Sequence, residues 1–149
     1  MNVTFYKYHG AGNDFIFIDN RNDLFPKQNT DLITHLCDRH FGIGADGLIL
    51  LENDTDADFK MVYFNADSSQ TMCGNGARCA VAFAKKLNII DASTNFTAYD
   101  GPHHAEVNDD ETVSLEMIDV EKVDVFTNHV FTNTGTLHHI EVVDDLENY

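Results

Sequence analysis

The residues best suited to carry out chemistry stand in one short stretch, residues 72–79, which reads MCGNGARC. Cys73 precedes Gly-Asn-Gly at the point where a run of small apolar residues begins a predicted helix. Backbone N–H groups at a helix N-terminus have no partner within the helix, and they stabilise a thiolate, a bound carboxylate or a developing enolate oxygen. Spacing alone therefore leaves two alternatives for Cys73, a reactive thiol and a buried filler.

The other two cysteines have the positions of core residues. Cys37 falls on the apolar stripe of one predicted helix and Cys79 lies inside another. Free cysteine is among the most buried residue types, so both are predicted to be small buried hydrophobes. No Cys-x-x-Cys motif or spaced Cys/His quartet accompanies them, which argues against a zinc site.

Histidines occur in two adjacent pairs, His103-His104 and His138-His139, within strand-like sequence. Neighbouring residues of a strand point to opposite faces, so neither pair can chelate one ion as a unit. The sequence predicts no metal site and no cofactor.

Polar residues end or begin several predicted strands. Asn13 in GAGNDF and Asn65 in FNAD are either turn formers that bond their own backbone or neutral hydrogen-bonding groups for a zwitterionic substrate.

The stretch GIGADG, residues 42–47, matches Gly-x-Gly-x-x-Gly. A dinucleotide site needs a strand before this motif and a helix after it. Here the order is reversed, which predicts a glycine-rich turn from helix to strand.

Two helices and many short strands must position these residues. Leu32/Leu36 and Ile33/Cys37 repeat at a spacing of four, which predicts a helix over residues 30–41 that ends at Gly42. The second helix, residues 75–87, has no polar face and is expected to be buried all round. Predicted strands cover residues 3–8, 15–20, 47–53, 58–66, 93–101, 103–108, 112–120, 129–135 and 137–145, with a hairpin turn at 108–111. This order favours an α+β fold.

The composition restricts the number of domains, the kinds of partner and the cellular compartment to be expected. The 149 residues are 43% hydrophobic, which is enough for a core in one domain, or one domain plus a fragment of another. A formal charge of −16 argues against nucleic acid and anionic membranes as partners. The N-terminus has no signal-peptide pattern, no apolar run approaches the roughly 20 residues of a membrane span, and the cysteine number is odd. We expect a soluble cytoplasmic protein with free thiols.

Four stretches taken together resemble the diaminopimelate epimerase family, in the same order and with similar separations. They are YHGAGNDFIFID (8–19), LCDRHFGIGADGLILL (36–51), YFNAD (63–67) and MCGNGARCAVAFA (72–84). The resemblance implies two similar domains, each with β-strands wrapped as a barrel-like sheet around one central buried helix. Residues 1–119 would form the N-terminal domain, and residues 120–149 the opening strands of a second, truncated one.

The resemblance also implies a reaction and its residues. In this family one cysteine thiolate removes the substrate α-proton and a second cysteine protonates the opposite face, without pyridoxal phosphate, which interconverts LL- and meso-2,6-diaminopimelate for lysine and peptidoglycan synthesis. Cys73 matches the family's first catalytic cysteine. Asn13, Asn65, Gly74 and Asn75 match its substrate contacts.

The family's second catalytic cysteine belongs to a C-terminal half with another Cys-Gly-rich motif, and no such motif follows residue 79 here. We therefore expect the chain to be inactive alone. Alternatives are another cofactor-independent amino-acid racemase of the same fold and a non-catalytic domain that retains half a binding site. A homodimer is implied by the resemblance only.

Overall fold

The computed structural model describes residues 2–148. The chain divides into two compact units, and the boundary in the sequence lies between Glu116 and Met117. The predicted domain boundary after Asp119 lies slightly further along the chain and stays a prediction.

The first unit is built on one seven-stranded sheet whose spatial order follows the chain order, from β1 to β7. Pairing is antiparallel except between β2 and β3 and between β4 and β5. Parallel neighbours need a long crossover, and the two helices provide it. The strands are β1 Tyr6–Gly10, β2 Asn13–Asp19, β3 Gly47–Glu52, β4 Phe59–Asn65, β5 Ser93–Ala98, β6 Gly101–Val107 and β7 Val113–Leu115; the helices are α1 Thr30–Cys37 and α2 Gly74–Lys86.

Alternating side chains of β2 and β3 enter two separate cores, one on each face of the sheet. Phe15 and Phe17 pack on the α2 side, whereas Ile16 and Ile18 pack on the α1 side. Because both faces are covered, these strands read as continuous apolar runs. The prediction of an α+β fold with strands around a central helix is confirmed.

The sheet curls around α2, which contacts both edge strands and most of the strands between them. The prediction that α2 is buried all round is wrong. Asn75, Arg78 and Ala82 are partly exposed and Lys85 is exposed, at helical spacings of three and four. This stripe stays accessible because, within residues 2–148, the sheet leaves β1 and β7 as unpaired edges.

Several predicted boundaries needed correction, and the strand predicted over residues 112–120 covers only Val113–Leu115. Helix α1 ends at Cys37 instead of continuing to residue 41, because the carboxylate of Asp38 accepts the backbone N–H groups of His40 and Phe41. Those N–H groups are thereby withdrawn from helical bonding. The first strand starts at Tyr6 instead of residue 3. The motif at 42–47 is a turn between α1 and β3, as predicted.

The second unit is a small antiparallel sheet in the order β10-β9-β8. Strand β8, Val123–Val125, was not predicted; β9 and β10 cover Val130–Asn133 and Leu137–Ile140, and a short 3-10 helix covers Leu146–Asn148. Between residues 117 and 148, Thr132 alone is buried. Across the described chain, the helices are too short or too polar to cross a bilayer.

Candidate active site

Cys73 is the N-cap of helix α2. Its backbone is extended, with φ −138° and ψ 110°, and its sulfur accepts a hydrogen bond from the Gly76 N–H at 3.5 Å. The thiol is partly buried. Gly76 allows the helix to approach β3 closely, since a Cβ at this position would lie 2.9 Å from Ile49 Cδ1. The predicted helix start is confirmed to within one residue, and Cys73 lies at the end of the helix that favours negative charge.

Asn13 faces this sulfur from the hairpin between β1 and β2. Ala11 and Gly12 form the turn with φ of 54° and 87°, so Asn13 is the first residue of β2. Its Oδ1 accepts hydrogen bonds from Cys73 Sγ at 3.6 Å and from Asn75 Nδ2 at 3.4 Å. The structure therefore brings three of the predicted site residues together, and Gly74 lies between two of them in the chain.

Asp46 fixes the orientation of the Asn13 amide. One oxygen of its carboxylate accepts from Asn13 Nδ2 at 2.7 Å and from the Asp14 backbone N–H at 3.2 Å. An ionised carboxylate accepts hydrogen bonds and cannot donate them, so the amide nitrogen must face Asp46 and the amide oxygen must face Cys73. The hydrogen bond from Asn13 lowers the pKa of Asp46, followed by contributions from Asp14 N–H and Arg39.

Two cations hold the acidic side chains in place. Arg39 Nη2 lies 2.7 Å from both Asp14 Oδ1 and Asp46 Oδ1, and Lys7 Nζ lies 2.7 Å from Asp14 Oδ2. The Arg39 hydrogen bond, together with Lys7, holds the pKa of Asp14 well below its usual range. The network therefore stays ionised at neutral pH and anchors the start of β2 to the turn before β3.

Asn65, the fifth predicted site residue, is held by its own turn at the end of β4. Its Oδ1 accepts from Tyr63 OH at 2.8 Å, and its Nδ2 donates to Ser69 Oγ at 3.0 Å and Thr71 Oγ1 at 3.2 Å. Burial raises the pKa of Tyr63, so the phenol keeps its proton. None of these hydrogen bonds joins Asn65 to Cys73, Asn13 or Asn75, and the substrate contact of Asn65 stays a prediction.

The remaining cysteines are buried, as predicted. Cys37 is 3% exposed and Cys79 is 5% exposed. Burial raises the pKa of the Cys37 thiol, and it raises that of Cys79 to about 11. Both stay protonated and shielded at neutral pH, whereas the side chain of Cys73 is partly exposed.

Sequence reasoning missed Asp46, Arg39 and Arg78. Asp46 was read only as part of a turn, and its contact with Asn13 arises because β2 and β3 run parallel with Phe15 opposite Gly47. Arg78, about one helical turn after Asn75, donates to Asn75 Oδ1. Its position in CGNGAR, three residues after Asn75, was the available signal, because residues three apart are neighbours on a helix.

Comparison with known proteins covers nearly the whole chain. Residues 5–123 match the sequence model of the family described as diaminopimelate epimerase. The diaminopimelate epimerase of Flavobacterium psychrophilum is 63% identical over 148 residues, which cover 99% of this chain and 58% of that protein. That of Chlorobaculum tepidum is 44% identical, with 93% of this chain and 56% of that protein covered. The chain thus spans about half the length of the curated relatives it matches.

Solved structures share the fold at low sequence identity. A Bacillus anthracis phenazine biosynthesis protein of the PhzF family matches with a TM-score of 0.75 and 15% identity, over 99% of this chain and 58% of that one. A hydroxyproline epimerase from Agrobacterium vitis matches with a TM-score of 0.65 and 14% identity, over 92% and 50%. By its motifs, its fold and these sequence matches, the chain belongs to the diaminopimelate epimerase family.

Proposed function

We propose that this chain supplies one of the two proton-transfer groups of an epimerase that interconverts LL- and meso-2,6-diaminopimelate without pyridoxal phosphate. The observation that carries the proposal is the position of Cys73 Sγ, 3.5 Å from the Gly76 N–H and 3.6 Å from Asn13 Oδ1. A thiol placed in this way can exchange a proton with a substrate carbon and still be held in both protonation states.

Each protonation state of Cys73 has its own hydrogen-bond partner. As a thiol, it donates to Asn13 Oδ1; as a thiolate, it accepts from Gly76 N–H at the positive end of α2. When the thiolate takes the α-proton, the S–H bond forms as the C–H bond breaks, and the electron pair moves to the substrate carboxylate. The N–H groups of Gly74 and Asn75 have no helical carbonyl to bind, which suits them to hold that carboxylate.

Asp46 acts as a positioning residue in this proposal. It holds the Asn13 amide so that the oxygen, not the nitrogen, faces the sulfur. Asn75 Nδ2 also donates to that oxygen, so a flipped amide would place two N–H groups against each other. The arrangement supports a single orientation of the thiol proton.

The chain offers no second cysteine to the same substrate. Cys37 and Cys79 are buried and protonated. We therefore propose that the protein described here does not invert its substrate alone, and that the second thiol comes from a part of the enzyme outside residues 2–148.

Alkylation kinetics test the assignment of Cys73. With iodoacetamide at pH 8 and mass-spectrometric mapping, Cys73 should react at least about 100-fold faster than Cys37 or Cys79, because the buried thiols react only after an opening that costs about 3 kcal/mol or more. Cys73→Ser is the matched control and should remove the fast phase. Equal labelling of the three cysteines would refute the assignment.

Isotope exchange tests the reaction. The chain is incubated with meso-diaminopimelate in deuterated water, and the α-proton signals are followed by NMR. We expect no stereochemical inversion by this chain alone. Inversion that survives Cys73→Ser would exclude Cys73 from the mechanism, and inversion by the unmodified chain would refute the need for a second thiol.

The compartment and the oligomeric state belong to the same proposal. Three free cysteines are consistent with the reducing cytoplasm. The homodimer implied by the family resemblance is tested by sedimentation equilibrium, where a monomer at micromolar concentration would count against it. A non-catalytic binding domain would bind diaminopimelate equally well after Cys73→Ser and would show no fast thiol, which separates that alternative from the epimerase.

A further inference from the structure

Three side chains of the second unit form a compact group that the proposed reaction does not use. His129, His139 and Glu141 each offer one ligand atom, and these atoms lie within 4.8 Å of one another. We propose that this group, the hairpin triad, binds a divalent first-row transition ion such as Zn²⁺.

Strand pairing places the triad on one face of the β9–β10 hairpin. Ile140 pairs with Val130, so the same antiparallel register brings Glu141 opposite His129 just beyond the ladder. His139 and Glu141 are two residues apart and therefore share a face. His139 lies in β10, and Glu141 and His129 lie one residue beyond the paired segments of β10 and β9. The hairpin therefore brings all three side chains to one place, which suits a metal site.

Two of the ligands already share a proton at nearly the distance an ion requires. His139 Nε2 lies 2.8 Å from Glu141 Oε1. Two donors bound to a tetrahedral zinc ion, with bonds of about 2.0–2.2 Å, lie about 3.3–3.6 Å apart. The ion replaces the shared proton as the His139 ring turns and moves outward: one Zn–N bond and one Zn–O bond form, and the proton leaves to solvent.

His129 is prepared as the third ligand. Its Nδ1 lies 3.1 Å from Asn128 Oδ1. An amide oxygen accepts, so Nδ1 carries the proton and Nε2 keeps the lone pair for a metal. Phe126 stacks on the His129 ring at 4.4 Å and holds its plane.

His139 must turn to complete the site. Its ring stacks on that of His129 at 4.4 Å and 10°, and stacked rings direct their lone pairs in parallel. Its side chain is 53% exposed, so rotation about Cβ–Cγ meets little resistance.

Ligand type and local charge favour a transition ion. Imidazole with carboxylate suits Zn²⁺, Ni²⁺ and Cu²⁺, whereas Mg²⁺ and Ca²⁺ select oxygen ligands. Lys122 is the one Lys or Arg between residues 117 and 149, and it is outnumbered by acids at positions 119, 121, 124, 141, 144, 145 and 147. This acidic surrounding attracts a cation.

Calorimetric titration of the metal-free chain with Zn²⁺ tests the proposal, with Cys73→Ser in every sample so that the partly exposed thiol does not bind the ion. We expect one zinc per chain. His129→Gln, His139→Gln and Glu141→Gln should each weaken binding at least about tenfold, because even the loss of an outer-shell partner costs about 10–100-fold in metal affinity. Excess Mg²⁺ should not compete.

His138→Gln is the matched control. His138 lies on the opposite face of β10 and bonds to Thr134 Oγ1 at 3.0 Å. It should change zinc affinity less than about twofold, well below the cost of losing a ligand. Equal affinity in the triad variants and this control would mean an adventitious ion only and would overturn the proposal. NMR of the unsubstituted triad gives a second readout: zinc should shift the ring signals of His129 and His139 and leave those of His138 and His103 unchanged, and the reverse would also overturn it.

Discussion

The two units of the chain differ in how they hold their apolar side chains. The first unit buries phenylalanines and aliphatic residues on both faces of a seven-stranded sheet, with Phe15, Phe17 and Phe83 fully inaccessible. In the second unit Val125, Leu137 and Val142 are 75%, 66% and 96% exposed. The proposed catalytic group is therefore held in place by a hydrophobic core, whereas the hairpin triad depends on the pairing of β9 with β10.

Hydrogen exchange should show the largest contrast between the units. Amides of β3 and β4 should exchange only on global unfolding, at about 5 kcal/mol or more, whereas those of β8 to β10 should open at about 1–2 kcal/mol or less. NMR-detected exchange at pH 7 measures both. Equal protection in the two units would show that the second unit is stabilised by contacts other than its own sheet.

The second-largest expected difference between the units is the stability cost of removing a large apolar side chain. Phe83 on α2 packs its ring within 5.0–5.7 Å of Tyr6, Tyr8 and Phe17. Phe83→Ala should lower the free energy of unfolding by about 3–5 kcal/mol through the lost burial and the cavity. The control Leu137→Ala should change it by less than about 0.5 kcal/mol. Urea unfolding followed by circular dichroism compares the two variants.

Adding volume should have a smaller effect, again confined to the first unit. A Cβ on Gly47 would lie 2.5 Å from both Phe64 O and Tyr63 Cε2. Gly47→Ala should therefore cost about 1–3 kcal/mol by overpacking. Val125→Ile in the second unit adds a methylene at an exposed position and should be neutral in the same urea assay. A neutral Gly47→Ala would mean that the start of β3 can shift away from β4.

The smallest expected effect is electrostatic. The folded-state pKa of Asp14 is lowered by Arg39 and Lys7, so its contribution to stability is present above about pH 4, near the unfolded value, and is lost as pH falls through the folded value. Asp14→Asn should cost about 1 kcal/mol at pH 7, because the group is partly exposed. The difference from the unsubstituted chain should shrink in urea titrations below pH 4. The control Asp124→Asn, which breaks the exposed pair with Lys122, should change the free energy of unfolding by less than about 0.5 kcal/mol at pH 7.

The sequence predicted features that depend on local composition. Glycines and small apolar residues marked the start of α2. The predicted burial of Cys37 and Cys79 is confirmed, and Cys73 at the helix start is only partly buried. Asn13 was predicted as a candidate through the family motif, and its contact with Cys73 was then found in the structure. Short-range periodicity and capping carry such information in the chain itself.

Features that depend on pairing between distant segments were not predictable in this way. The Asp46–Asn13 hydrogen bond needs the parallel register of β2 and β3, and the hairpin triad needs the antiparallel register of β9 and β10. The expectation of no metal site considered only histidines that are adjacent in sequence. His129 and His139 are ten residues apart, and the hairpin brings them together. Strand β8 is three residues long, and its Val-Asp-Val alternation is too short to predict a strand, which needs about four to eight residues of alternation.

The sulfur of Cys73 also has a structural role, because it caps the first turn of α2 by accepting a hydrogen bond from the Gly76 N–H. Serine is a preferred N-cap and its oxygen would close that turn at least as well. Cys73→Ser is therefore expected to retain the fold while it removes the proposed proton-transfer thiol. A selection for abundant, correctly folded protein would accept serine at this position, and only a selection for turnover would keep the cysteine.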